Sequence, residues 1–139
     1  ERLDKLKRER RLAAGDELWL VIDMDRWGKK KISDLASKVH HKGYHLALSN
    51  PCFELWLLLH LVDADSPSLK QKDLAQELRS ILGSYNKANL DLSAFHPHKA
   101  RAVAGARALD SNPGRRWPEA PGTRVYRIVE HFLPDSPSA

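Results

Sequence analysis

Apolar residues fall along this chain in short blocks set apart by glycine, proline and charge. The spacing inside each block predicts an element. Residues 1–14 read as a charged helix with a thin stripe of Leu3, Leu6 and Ala13, ended by Gly15. Leu18-Trp19-Leu20-Val21-Ile22 is an unbroken apolar run, short for a helix and suited to a strand buried on both faces of a parallel sheet. Asp23-Met24-Asp25 closes it, and Arg26-Trp27-Gly28 turns the chain. Ile32, Leu35, Ala36 and Val39 then recur at the spacing of one helix face, which Gly43 stops. Tyr44 to Leu48 predicts a second short strand. Asn50 and Pro51 predict a helix start, as N-cap and first helical residue, with a body from Phe53 to Val62 apolar nearly all round.

The remainder predicts a helical half. Ser68-Leu69-Lys70-Gln71 reads as a capping box ahead of a stripe of Leu74, Ala75, Leu78, Ile81 and Leu82, with Gly83 as the stop. Pro97 starts a helix to about Leu109, with Ala100, Val103 and Ala104 facing inward. Residues 112–122 read as a loop rich in Pro and Gly. Thr123 caps a last helix carrying Val125, Ile128, Val129 and Phe132 on one face. The expected architecture is α/β: a small parallel sheet flanked by helices, with a helical C-terminal half. Two parallel strands make a meagre sheet where four to six is usual, and the chain opens without a Met. Residues 1–133 are therefore expected to be the C-terminal part of a single domain from a longer protein, with 134–139 a flexible tail.

Composition changes this picture little. The 139 residues are 42% hydrophobic and 29% charged, enough apolar material for one core. The longest apolar runs, Leu18 to Ile22 and Leu55 to Leu59, fall far short of the roughly 20 residues a bilayer requires. No apolar leader opens the chain, and the one cysteine, Cys52, cannot pair internally. A cytoplasmic setting fits these features. A net charge of +5 permits contact with a polyanion without demanding it.

Asp23 and Asp25 carry the sharpest chemical signal. Residues two apart in an extended chain project to one side, and these two stand at the carboxyl end of a strand, where open α/β sheets place ligands. Two close carboxylates repel, and a hard divalent cation such as Mg²⁺ relieves that repulsion. The plainer reading is a turn started by Asp25 with Asp23 at the strand end. Glu54, after the second strand, can approach the pair as a further acidic ligand, or it is a carboxylate favoured by a helix N-terminus. Lys29, Lys30 and Lys31 follow within six residues of the pair and suit a phosphodiester backbone, or form a solvated face. Lys87 and the Arg115-Arg116 pair are similar candidates.

The seven histidines show no zinc spacing. His60 and Cys52 read as buried residues rather than as a ligand and a nucleophile. No Gly-rich phosphate loop occurs, which argues against nucleotide hydrolysis.

The stretches Asp16 to Asp25 and Ala47 to His60, above all Ser49-Asn50-Pro51-Cys52-Phe53-Glu54-Leu55-Trp56, resemble the RloB-like family. Tyr85-Asn86-Lys87 and Thr123-Arg124-Val125-Tyr126 also resemble its pattern. The resemblance implies a Toprim-like fold that binds Mg²⁺ or Mn²⁺ through Asp23 and Asp25, and a nuclease acting on DNA or RNA with Glu54 assisting. Asn50 and Trp56 would lie near the site, and Lys29, Lys30, Lys31 and Lys87 would contact nucleic acid. It further implies a prokaryotic phage-defence, abortive-infection or mobile-element setting, with an ATPase of the RloA type as partner. The family pattern also places a Glu after an earlier strand, and residues 1–16 contain no such strand. The alternative is a non-catalytic module that binds the partner ATPase or DNA.

Overall fold

The structure, a computed structural model, describes residues 2–10 and 15–130. The stripe position Ala13, Phe132 and the tail from Pro134 lie outside the described residues. Helix α1 (Arg2–Arg10) is followed by strand β1 (Trp19–Asp23), helix α2 (Lys29–His41) and strand β2 (His45–Asn50). Next come the short helix α3 (Glu54–Leu58), α4 (Leu74–Leu82), α5 (Lys99–Leu109), strand β3 (Gly122–Thr123) and α6 (Tyr126–Val129). The chain is thus α/β with a largely helical second half.

Strands β1 and β2 run parallel in the register Trp19 opposite His45 through Asp23 opposite Ser49. Their alternation divides the sheet into two faces. Leu20, Ile22, Leu46 and Leu48 pack with Ile32 and Leu35 of α2. On the other face Ala47 joins the main core of Leu55, Leu58, Leu59, Leu78, Ala102 and Ala106, contributed by α3, α4 and α5. Helix α5 passes close to the residue after α3 at Gly105, where an added Cβ would come 3.1 Å from Leu59 Cδ2, tighter than ordinary contact. Trp56 is buried in this core, edge-on to the His60 ring.

The structure departs from the expected elements at several points. The sheet is mixed rather than parallel, because Thr123 and Gly122 pair antiparallel with Ser49 and Asn50. Thr123 therefore caps no helix: its hydroxyl lies 2.7 Å from that of Ser49, and the Arg124 N–H donates to the Leu48 carbonyl. Strand β1 is an edge strand and is not buried on both faces, since Val21 is 45% exposed. Asn50 is no N-cap. Its backbone still belongs to β2, the Asn50–Pro51 peptide is cis, and its side-chain amide donates to the carbonyls of Pro118 and Ala120 at 3.0 and 3.3 Å.

The helix after Pro51 is correspondingly shorter than its apolar run suggests, because residues 59–62 leave α-helical geometry while their side chains remain in or against the core. Asp73, not Ser68, caps α4 by accepting the Gln76 N–H, and Gly83 ends it in the left-handed conformation at φ +83. A single 3₁₀ turn over His96–His98 precedes α5, whose inward residues are Ala102, Val103 and Ala106, while Ala100 and Ala104 are exposed. The α2 stripe and the Gly43 stop stand as expected, with Ile32 and Val39 buried and Gly43 at φ +74.

A buried polar knot fastens the C-terminal elements. Tyr126 donates its hydroxyl to Asp110 at 2.5 Å, and Arg124 reaches Asp110 and the carbonyls of Asn112 and Arg115. Such a network holds a loop in one place because each buried charge needs its partners.

His60 is buried between Trp56 and Phe95, and its Nδ1–H donates to the Trp56 carbonyl at 2.9 Å. Burial pushes its pKa below the ordinary 6.5, outweighing the backbone hydrogen bonds that act the other way. The unfolded chain therefore takes up this proton first. The stability that neutral His60 contributes should be complete above about pH 6.5 and fall as pH drops below it. Urea denaturation from about pH 5 to 8 should show a shallower acid loss for His60→Gln than for wild type; equal slopes would show that His60 does not contribute.

Candidate functional site

Parallel pairing brings the ends of β1 and β2 to one edge of the sheet, and the chain then anchors that edge twice. The Asp23 carboxylate accepts the Phe53 N–H through Oδ1 at 2.9 Å, and the Asp25 N–H donates to the Pro51 carbonyl at 3.0 Å. Phe53 precedes α3 and no side chain of the local sequence caps that helix. Asp23, 30 residues earlier, accepts one of its otherwise unpaired N–H groups. The carboxylate also draws Glu54, the first residue of α3, to the strand end.

Asp23 and Asp25 do not lie along one extended strand. Met24–Arg26 form a 3₁₀ turn, so their approach comes from the turn and not from strand alternation. They remain electrostatically coupled. The Asp25 carboxyl is held above its ordinary range, first by partial burial, then by the charge of Asp23 and further by Glu54.

Glu54 is buried within a polar nest. Burial pushes its carboxyl up, but its own N–H, Cys52, Lys87 and Tyr85 together hold it below the ordinary value. The Tyr85 hydroxyl donates to Glu54 Oε1 at 3.1 Å, and burial together with the Glu54 charge raises that phenol well above its usual range. Burial, reinforced by Glu54, pushes the Cys52 thiol up to about 12, which leaves it protonated and inert as a nucleophile.

Lys87 sits at the centre. Its ammonium lies 3.2 Å from Asp23 Oδ2 and 3.4 Å from Glu54 Oε1. Burial disfavours its charge, yet the hydrogen bond and charge of Asp23 and the charge of Glu54 raise its pKa overall. Lys87 thus pairs with two of the three carboxylates, while Asp25 feels the charge of Arg26 before that of Lys87. Sequence reasoning placed Lys87 on a nucleic-acid surface and missed both this ion pair and Tyr85. The signals in the sequence are the resemblance of Tyr85-Asn86-Lys87 to the family pattern and the position of both residues within four of the Gly83 stop.

The other candidates are dispersed. Lys29, Lys30 and Lys31 open α2 and are exposed, in a first turn with no acidic residue to complement its dipole. Arg116 bonds Ser33 and Ser37 and lies over the Trp117 ring, while Arg115 pairs with Glu119. Asn50 holds the 118–120 loop and Trp56 is a core residue, so both support the edge without lining it. His40 and His41 are exposed on α2, and His96 and His98 on the 3₁₀ turn before α5. Among the described residues no group of three or more His, Cys, Asp or Glu is arranged to hold a metal ion. Asp23, Asp25 and Glu54 are therefore not grouped as a three-ligand site; Mg²⁺ commonly takes one or two carboxylates and keeps its waters. Asp23 and Asp25, with hard oxygens and an excess of negative charge, fit an ion of that kind.

A family model described as RloB-like protein matches residues 1–132. The chain belongs to the RloB-like family. No curated protein and no solved structure matches it. The match spans all the segments that converge here in this RloB-like chain: the β1 end, the Asn50 to Trp56 stretch and Tyr85 to Lys87. No helix among the described residues is long and apolar enough to cross a membrane.

The Asp23 to Phe53 bond gives a stability prediction. Asp23→Ala should cost about 1–3 kcal/mol, because a charge-assisted hydrogen bond is lost and a half-buried N–H is left unpaired. Asp23→Asn, which retains an acceptor oxygen, should recover most of that in chemical denaturation. Equal losses for the two variants would show that the carboxylate does not cap α3.

Proposed function

We propose that this RloB-like chain is a Toprim-like, nuclease-type domain that uses Mg²⁺ or Mn²⁺ to act on nucleic-acid phosphodiesters. The biological setting is a prokaryotic phage-defence or mobile-element system in which an ATPase of the RloA type is a partner. The observation that carries the reading is the convergence of Asp23, Asp25 and Glu54 on one sheet edge, where Asp25 stays raised by its acidic neighbours despite the charges of Arg26 and Lys87.

Asp23 and Asp25 would hold the ion through carboxylate oxygens, with Asp25 the more accessible of the two. Bound there, the ion would activate water and stabilise charge developing on the phosphate. Glu54 would assist by orienting that water through a carboxylate oxygen; its neighbours hold its carboxyl below the ordinary value, which suits an acceptor more than a base. Lys29, Lys30 and Lys31, exposed at the start of the helix that follows the acidic turn, would neutralise the nucleic-acid backbone.

One observation favours a second reading. Lys87 already bridges Asp23 and Glu54, and a resident ammonium of this kind also suits a non-catalytic module that docks onto an ATPase or DNA. Metal-dependent cleavage separates the two. In the full-length protein, Asp23→Asn and Asp25→Asn should each lower Mg²⁺-dependent cleavage of DNA or RNA by about a hundredfold or more while folding is retained. Undiminished cleavage in both variants would remove the acidic pair from the reaction, and a wild-type protein that binds its partner but cleaves nothing would establish the docking module.

A further inference from the structure

The segment after α4 reaches the acidic edge through two side chains. Gly83 turns the chain out of the helix, Tyr85 is half-buried with its hydroxyl on Glu54, and Lys87 spans Asp23 and Glu54. The turn that carries them is stabilised within itself: the Ala88 N–H donates to Asn86 Oδ1 and the Asn89 N–H to the Asn86 carbonyl. The Lys87 side chain is 46% exposed, so water reaches its ammonium, whereas the Asp23 side chain is only 13% exposed. The lysine therefore forms the outer cover of an inward-lying carboxylate.

Asp23 Oδ1 is committed to Phe53 and Oδ2 to Lys87. A divalent ion approaching Asp23 would need the oxygen that the ammonium holds. Two cations at one carboxylate repel, and the Lys87 ammonium, on a long side chain that is 46% exposed, is free to leave. Resting on the metal reading above, we propose that Lys87 is a resident counter-ion that competes with the divalent cation for Asp23. Ion loading displaces the lysine from the acidic edge and loosens residues 84–91. Before loading, Lys87 relieves the repulsion among Asp23, Asp25 and Glu54. After loading, its ammonium is released on the same edge, free to meet an anionic backbone.

Calorimetric titration of the full chain with Mn²⁺ tests this without any activity measurement. Lys87→Gln, or Lys87→Met as a second variant, should bind Mn²⁺ about tenfold more tightly than wild type, the factor that corresponds to about 1.4 kcal/mol of removed competition. Hydrogen exchange followed by mass spectrometry should show faster exchange over 84–91 in wild type when Mg²⁺ is added. In Lys87→Gln the segment should already exchange fast and respond little. Tighter binding by the variants, even where wild type binds too weakly to measure, supports the exchange. Equal or weaker binding by both variants overturns it while leaving the metal reading intact. Unchanged exchange in a metal-loaded wild type overturns the displacement of Lys87. No binding by wild type or either variant overturns the metal reading and this proposal together.

Discussion

The Asp23 carboxylate receives the Phe53 N–H, and the rest of the site is arranged around that one bond. It joins the end of β1 to the start of α3 across the chain that leaves β2. Glu54 is the next residue, so its position at the sheet edge follows from the same bond. The cost is electrostatic: Asp25 is held beside the carboxylates of Asp23 and Glu54, and both repel it. Helix α3 cannot drift to relieve this, because Leu55, Leu58 and Leu59 lie fully inside the core. The same short helix thus serves both the core and the acidic edge.

The charge gathered in this way needs a counter-charge, and Lys87 provides one from a distant part of the chain. The chain leaves α4 at Gly83 and is tied to the edge by Tyr85 just before it reaches Lys87. The arrangement resembles an ion site in its charge balance and differs in having a protein side chain as the cation. That is why one set of contacts accommodates both a metal-dependent enzyme and a docking module. Membership of the RloB-like family holds for either.

Much of this was legible in the residues. The β1 run, the α2 stripe with its Gly43 stop, and α4 ending at Gly83 follow local periodicity, and the structure has them within a residue or two. The third strand was not legible, because two residues inside a Pro- and Gly-rich loop show no alternation, and only the pairing of Thr123 with Ser49 makes them a strand. Asn50-Pro51 looked like a helix start because the same residue types serve a strand end when the Asn amide finds loop carbonyls to bond. At the site, the acidic residues announced themselves by type and position. Their true geometry did not: Asp25 is brought near by a 3₁₀ turn, and Lys87 by a contact 64 residues away along the chain. Long-range pairs of that kind leave no periodic trace.

The central claim is that the β1 end, the segment after β2 and the Lys87 loop together form one cation-responsive edge. The most direct measurement is paramagnetic line broadening in a nitrogen-15-labelled sample titrated with substoichiometric Mn²⁺. The account predicts early loss of amide signals from residues 23–25, 52–54 and 85–87 while those of His40, His41, His96 and His98 persist. Broadening that begins at the histidines, or that spreads evenly over the surface, would contradict it.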